Sequence, residues 1–422
     1  MLVFDEITKK RIDSSKFKKV VVSYDYSSVK YGYVSDPTEI TTAYLKHNGE
    51  TKKFPIYYEK IKDKIFFSNK QGLFISNDVD KNTYITETCI LGRNIFPYTF
   101  SRYYEAIESF SIFKDKQKVI DEKSFPLSNH LKYTFGLEFE TSEGIVPEMF
   151  CFRDGLIPLR DGSISGIEYS TVVLEGNKGL NLLRQQINTL REYTIFNKEC
   201  SLHIHFGGFP LDKEKIFRLY SLCYLLQLNQ NLTPYLPPLT FKTSQYKASG
   251  KDYCRVLPVF RNFENMYGSL VGQPFLGSFT QPHPNDIDRQ RKWNIPTRYY
   301  WINFINFLCY DVNKTIEFRF LRPSYNLKKI LVWLYILNAI LIYAENTNLR
   351  IPDIDDPDFR FTNGYLLHFI LDQVYPKELS EYLKSELYKL RLLVQSQTRN
   401  NNDRIGEMIN LENRLFPQDE II

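Results

Sequence analysis

The sequence predicts an α+β protein of 422 residues: a β-rich front over residues 1–128, then a larger unit over 129–422 that mixes buried strands with helices. Three observations carry this. Short apolar runs place polar residues two apart, the period of a strand. Longer segments repeat apolar residues at helical spacing. One apolar run, Ile330 to Ala344, suits a helix buried in a core.

In the front part, runs such as Lys19-Val-Val-Val-Ser23 and Lys64-Ile-Phe-Phe67 alternate with polar turns and are expected as strands. This part has no ligand-type pair and suits the docking of a partner or substrate. Ser101 to Phe113 has helical spacing. The second unit opens on the strand Phe135-Gly-Leu-Glu138-Phe-Glu140. Asp-Gly turns follow at Asp154 and Asp161, then the strand Gly166-Ile-Glu168-Tyr-Ser-Thr171. Leu180–Tyr193 and Lys213–Leu228 are expected helices, flanking the strand Ser201-Leu-His203-Ile-His205-Phe206. Residues 229–297 form an irregular insertion rich in proline. Its Lys242, Lys247, Lys251, Arg255, Arg289 and Arg291 suit a basic lid, with a solvated insertion as the alternative. The strand Thr315-Ile-Glu317-Phe-Arg319-Phe320 precedes the apolar helix. Tyr382–Gln395 is amphipathic, and Ser396–Arg404 is expected as a polar turn.

Composition excludes several classes. Hydrophobic content of 43% and charged content of 24% belong to a globular protein. The net charge of +5 comes without a basic stripe, so no nucleic-acid partner is expected. The six cysteines include no CxxC pair, which argues against a zinc ribbon and for reduced thiols in a cytoplasm. Met1-Leu-Val-Phe-Asp-Glu is not a signal peptide, and the apolar run is too short for a comfortable membrane span.

The paired strands carry the chemistry. Glu138 and Glu140 share one strand face, as do His203 and His205, and Glu317 and Arg319. Phe139, Ile204 and Phe318 point the other way. Charged groups sit mid-strand when they are paired, bound to metal or used. One such strand alone favours a buried salt bridge; three in series favour a site. Glu138, Glu140, Asp161, Glu168, His203 and Glu317 are candidate ligands for Mg²⁺ or Mn²⁺, with either histidine available. Arg319 keeps its charge and suits bidentate contact with phosphate. No GxxxxGK[ST] occurs and no GxGxxG follows a strand, so ATP phosphates would be held by metals and side chains. Cys200 and His203 face opposite sides of an extended chain, which argues against a thiolate–imidazole pair. A zinc hydrolase on the two histidines is disfavoured by the excess of carboxylates.

The motifs Gly136-Leu-Glu138-Phe-Glu140, Asp161-Gly-Ser-Ile-Ser-Gly-Ile-Glu168, His203-Ile-His205-Phe-Gly-Gly208, Arg298-Tyr-Tyr-Trp-Ile-Asn303 and Glu317-Phe-Arg319 together resemble the amidoligase family. That family belongs to the carboxylate–amine ligases, with glutamine synthetase and glutamate–cysteine ligase. The resemblance covers about residues 130–345. It implies an antiparallel sheet curved around an ATP and metal site, and an amide or isopeptide bond made through an acyl phosphate. It implies that Glu138, His203 and Glu317 hold one metal, and Glu140 and Glu168, with Asp161, the other. His205, Arg319, Arg298 and Asn303 are implied at the nucleotide, with Arg319, Glu317 and His205 in catalysis. Asp161 stands where larger ligases often offer a glutamate, which implies a more weakly held second metal. The implied substrates are an amino acid, peptide or protein bearing a carboxylate and an amine. The rival expectations are a non-catalytic accessory protein, of a phage for example, and a phosphotransferase related to the guanidino kinases.

Overall fold

A computed structural model of the chain describes the backbone of eight strands between residues 2 and 85 and parts of 99–119. Apart from short gaps, it also describes 120–228, 254–279, 296–348, 365–399 and 405–417. The front is β-rich, as its alternating runs require. Glu50–Tyr57, Ile40–His47, Leu73–Ile75 and Tyr84–Ile85 form a four-stranded antiparallel sheet in that order, and two further antiparallel pairs precede it. The expected Lys64–Phe67 strand lies outside the described residues.

The larger unit is α+β and is built on a six-stranded antiparallel sheet. Its strands are β1 (Thr134–Glu140), β2 (Leu156–Leu159), β3 (Glu168–Thr171), β4 (Leu202–Gly207), β5 (Ile302–Asn303) and β6 (Thr315–Leu321). The spatial order is β2-β3-β1-β4-β6-β5. One face is apolar for the reason the alternation gives: Phe135, Leu137, Phe139, Ile204, Phe206, Ile316, Phe318 and Phe320 are each no more than 2% exposed. The helices are α1 (Glu148–Asp154), α2 (Gly176–Tyr193), α3 (Lys213–Leu228), α4 (Phe263–Val271), α5 (Ile305–Cys309), α6 (Leu327–Glu345), α7 (Tyr365–Val374), α8 (Lys377–Arg399) and α9 (Ile405–Leu415).

Helix α6 contains the apolar run. It is long and apolar enough to cross a membrane by length and composition, and 89% of that stretch is buried inside the protein. Asn326 caps it by accepting from Lys329 N, and Trp333 meets Phe320 of β6 edge-on at 5.1 Å. The lone polar residue in its middle is explained by its partners. Asn338 Oδ1 accepts from Lys132 N, and its Nδ2 donates to His130 O and to the Tyr375 hydroxyl. The side chain thereby joins α6 to the approach to β1 and to the end of α7.

Three expectations change. Residues 229–297 are not irregular throughout, because α4 forms within them. Asn262 accepts from Asn265 N at its start, Gly272 takes the left-handed conformation (φ 77°) at its end, and Phe263, Met266 and Leu270 bury one side. The helix α8 runs on through Ser396–Arg399, which hold no glycine or proline to stop it. The body on the central sheet also begins before residue 129. Phe100 N donates to Pro158 O and Arg160 N donates to Phe100 O, adding a parallel bridge beside β2, and Ala106 and Phe125 enter the same core. Of the basic residues expected in a lid, Arg255 alone is described: it is exposed and bridges to Tyr300, while the other five lie outside the described residues.

Candidate metal centre

The register gathers the polar residues into rows across the face opposite the apolar layer. Glu168 of β3 pairs with Glu140 of β1. Ser170, Glu138 and His203 are neighbours across β3, β1 and β4. His205, Glu317 and Asn303 are neighbours across β4, β6 and β5. Antiparallel pairing alone therefore brings together residues far apart in the chain.

Two groups result. Glu138, His203 and Glu317 each offer one ligand atom, all within 4.8 Å of one another, and so do Glu140, Asp161 and Glu168. His203 Nδ1 lies 2.9 Å from Glu138 Oε2 and 3.3 Å from Glu317 Oε1. The geometry therefore seats His203 between the carboxylates. His205 stands alongside, with Nε2 3.1 Å from Glu138 Oε1 but not aligned as a hydrogen bond. Asp161 is turned by the local sequence: its Oδ1 accepts from Ser163 N, the bond that shapes an Asp-Gly-Ser turn. Gly166 lets that loop close, since a Cβ there would come 2.2 Å from Thr141 O at the end of β1.

The charges press on one another. Burial and then the carboxylates of Glu138, Asp161 and Glu140 drive Glu168 well above the usual carboxylate range. Burial also acts to raise Glu138, but the imidazoles of His205 and His203 outweigh it and hold that carboxyl well below the range. For Glu317, burial is outweighed by Arg319 and His205, and its pKa falls. His205 is raised, with burial opposing and Glu138 and Glu317 prevailing. Arg319 donates through Nη1 to Glu317 Oε1, while its buried Nε has no hydrogen-bond partner among the described residues.

Five carboxyl groups thus face one guanidinium and two imidazoles among the described residues, an excess of acidic over basic groups. Ser170 Oγ, 3% exposed and on the same face, also lacks a partner among the described residues. Hard oxygen donors with one imidazole, an excess of acidic groups and an orphaned hydroxyl fit a divalent cation of the Mg²⁺ or Mn²⁺ kind.

Of the two further residues expected at the nucleotide, Asn303 stands in the row with His205 and Glu317. Asn303 is buried and donates through Nδ2 to Glu317 Oε2 at 2.7 Å, so it positions that carboxylate. Arg298 lies over the Tyr299 ring, 5.0 Å from its centroid. Cys200 is buried and bonded to Asn197, as its strand parity implied. Four residues near the site carried no sequence signal: Ser170, Ser201, Tyr103 and Cys254. Burial and the Glu138 carboxylate push the Tyr103 phenol up to about 12. Burial pushes the Cys254 thiol up to about 12 against the pull of Arg319. Neither belongs to a motif; both reach the site only through the packing of segments distant in sequence.

Ser201 Oγ lies 2.8 Å from His203 Nε2, so Ser201, His203 and Glu138 follow the hydrogen-bond order of a nucleophile triad. The surroundings oppose that chemistry. The Ser201 backbone N–H, a natural oxyanion donor, is taken by Glu140 Oε2 at 2.6 Å, and an oxyanion would form among carboxylates. No protein-family model matches this chain, and no curated protein sequence matches it.

Proposed function

We propose that this protein is an ATP-dependent carboxylate–amine ligase that forms an amide or isopeptide bond through an acyl phosphate, on a face that binds two divalent cations. The observation that carries the reading is the division of six ligand side chains into two adjacent groups, Glu138/His203/Glu317 and Glu140/Asp161/Glu168. These are the groups that the resemblance to the amidoligases implies, and the antiparallel central sheet supports a frame of the glutamine synthetase type. When bound, the cations would neutralise the polyphosphate and stabilise the transferring phosphoryl group.

The chain's own residues would do the rest. Arg319 is permanently charged, and its Nε, without a hydrogen-bond partner among the described residues, would donate to a phosphate oxygen. Asn303 and Arg319 together fix both oxygens of Glu317. His205, whose pKa Glu138 and Glu317 raise against the effect of burial, would bind a second phosphate oxygen in its charged form. The apolar layer behind β1, β4 and β6 keeps these groups on rigid strands. The substrates would be an amino acid, peptide or protein bearing a carboxylate and a second molecule bearing an amine. The test is ADP release from Mg·ATP, screened over carboxylate and amine pairs. Release that needs both partners supports the ligase. A protein that binds Mn²⁺ and ATP without turnover on any pair favours the accessory reading, and one that binds neither ends the proposal.

A further inference from the structure

We infer that Ser201 is a positioning residue shared by both cation groups, orienting His203 for one through its hydroxyl and Glu140 for the other through its backbone. This rests on the two-cation reading above and concerns a residue outside every motif that suggested it.

Ser201 stands immediately before β4, two residues from His203, so both side chains leave the extended chain on the same side. Its Oγ is 2.8 Å from His203 Nε2, while His203 Nδ1 faces Glu138 and Glu317 at 2.9 and 3.3 Å. A metal-ligating imidazole is oriented by the partner of its other nitrogen. Here that partner is a hydroxyl, which both donates and accepts. In the tautomer with its hydrogen on Nδ1, Nε2 accepts from the Ser201 hydroxyl. With a cation among the carboxylates, Nδ1 must offer its lone pair and Nε2–H donates to Ser201. A hydroxyl serves both arrangements without moving the ring; a carbonyl or carboxylate would serve only the second.

The same residue clasps the other group. Ser201 N donates to Glu140 Oε2 at 2.6 Å, and Ser201 O accepts from Glu140 N at 3.1 Å. These two bonds belong to the backbone and survive a change of side chain. The two roles are therefore separable: replacing the hydroxyl should disturb the His203 group and spare the Glu140 group.

The experiment is Mn²⁺ titration of the full-length protein, followed by the electron paramagnetic resonance of free Mn²⁺, for wild type, Ser201→Ala and Ser201→Thr. Glu168→Gln is added to wild type and to the alanine variant so that the His203 group is read alone. Two sites are expected in wild type. Ser201→Ala should weaken one of them by about 10–100-fold, the usual effect of losing such an orienting partner, and leave the other unchanged. Ser201→Thr, which restores a hydroxyl, should bind as wild type does. An alanine variant that binds both ions normally overturns the inference. A threonine variant as weak as alanine overturns it too, whatever the alanine variant's stability, since the hydroxyl would then be irrelevant. Covalent labelling of Ser201 by a fluorophosphonate would replace it with the nucleophile role. Wild-type protein that binds no Mn²⁺ would instead fail at the two-cation reading, a result distinct from any of these.

Discussion

Replacing Glu168 by glutamine should stabilise the metal-free protein while destroying one of the two proposed cation sites. Glu168 is 9% exposed, and its ligand oxygen lies within 4.8 Å of those of Glu140 and Asp161. Two unit charges that far apart repel by about 3.5 kcal/mol at an effective dielectric of 20. Protonation caps the cost. Holding a carboxyl of ordinary pKa 4.5 neutral at pH 7 costs at most about 3.4 kcal/mol, at 1.36 kcal/mol per pH unit. The sign follows from the raised folded pKa: the folded state holds a proton that the unfolded chain releases, so the penalty starts near pH 4.5 and grows as pH rises to the folded pKa. The amide removes the charge and the titration together. In EDTA, the variant should match wild type near pH 4.5 and be more stable by about 1–3 kcal/mol at pH 7, with about 2–4 °C of midpoint per kcal/mol for a domain of 150–250 residues. In Mn²⁺ at a hundred times Kd, wild type should gain about 2.7 kcal/mol per site, and the variant should forgo one such gain. Calorimetry from pH 4.5 to 8, with EDTA and then with Mn²⁺, measures both effects. If the variant instead loses about 3–5 kcal/mol in EDTA, Glu168 is one half of a buried structural pair and the reasoning is wrong.

Arg319→Lys keeps the charge but loses the planar fork and the Nε donor; ADP formation should fall about 10²-fold with the unfolding midpoint moved by only a few degrees. Strong destabilisation with unchanged specific activity would make Arg319 a structural partner of Glu317. Asn338→Leu leaves Lys132 N–H and His130 O without their partner and should cost about 2–3 kcal/mol in denaturant unfolding; a loss below about 0.5 kcal/mol would show that water replaces it. Lys329→Met strands the buried Glu412 carboxylate that joins α6 to α9, and chemical denaturation should reveal a loss of about 3–5 kcal/mol. A truncation beginning at Phe125 removes Phe100, Ala106 and Tyr103 from the body on the central sheet, so it should melt below the full chain; equal midpoints would show that these residues contribute nothing to that body.

Strand parity was legible in the residues alone. The alternation of Phe135, Leu137 and Phe139 with Gly136, Glu138 and Glu140 decides which side chains enter the apolar layer and which line the opposite face, because a strand has no other way to place them. So were the helices α2 and α3, from their apolar spacing, and α6, from its unbroken apolar run. The helix α4 was written as clearly, between Asn262 and Gly272, and was hidden only by the prolines around it. Which histidine joins the carboxylates was not legible, since His203 and His205 have the same parity. The register sets His203 opposite Glu138 of β1 and His205 opposite Glu317 of β6, so both reach carboxylates, with His203 Nδ1 between Glu138 and Glu317. The roles of Asn303 and Ser201 were equally hidden. Each acts on a residue of another strand, Asn303 on Glu317 and Ser201 on Glu140, and cross-strand distance is a property of pairing that no local spacing encodes. The residues by themselves thus determined the chemistry available on one face of the sheet. Tertiary structure decided which ligand-type atoms lie together, because contacts between strands depend on register, and register is settled only when the whole apolar layer packs at once.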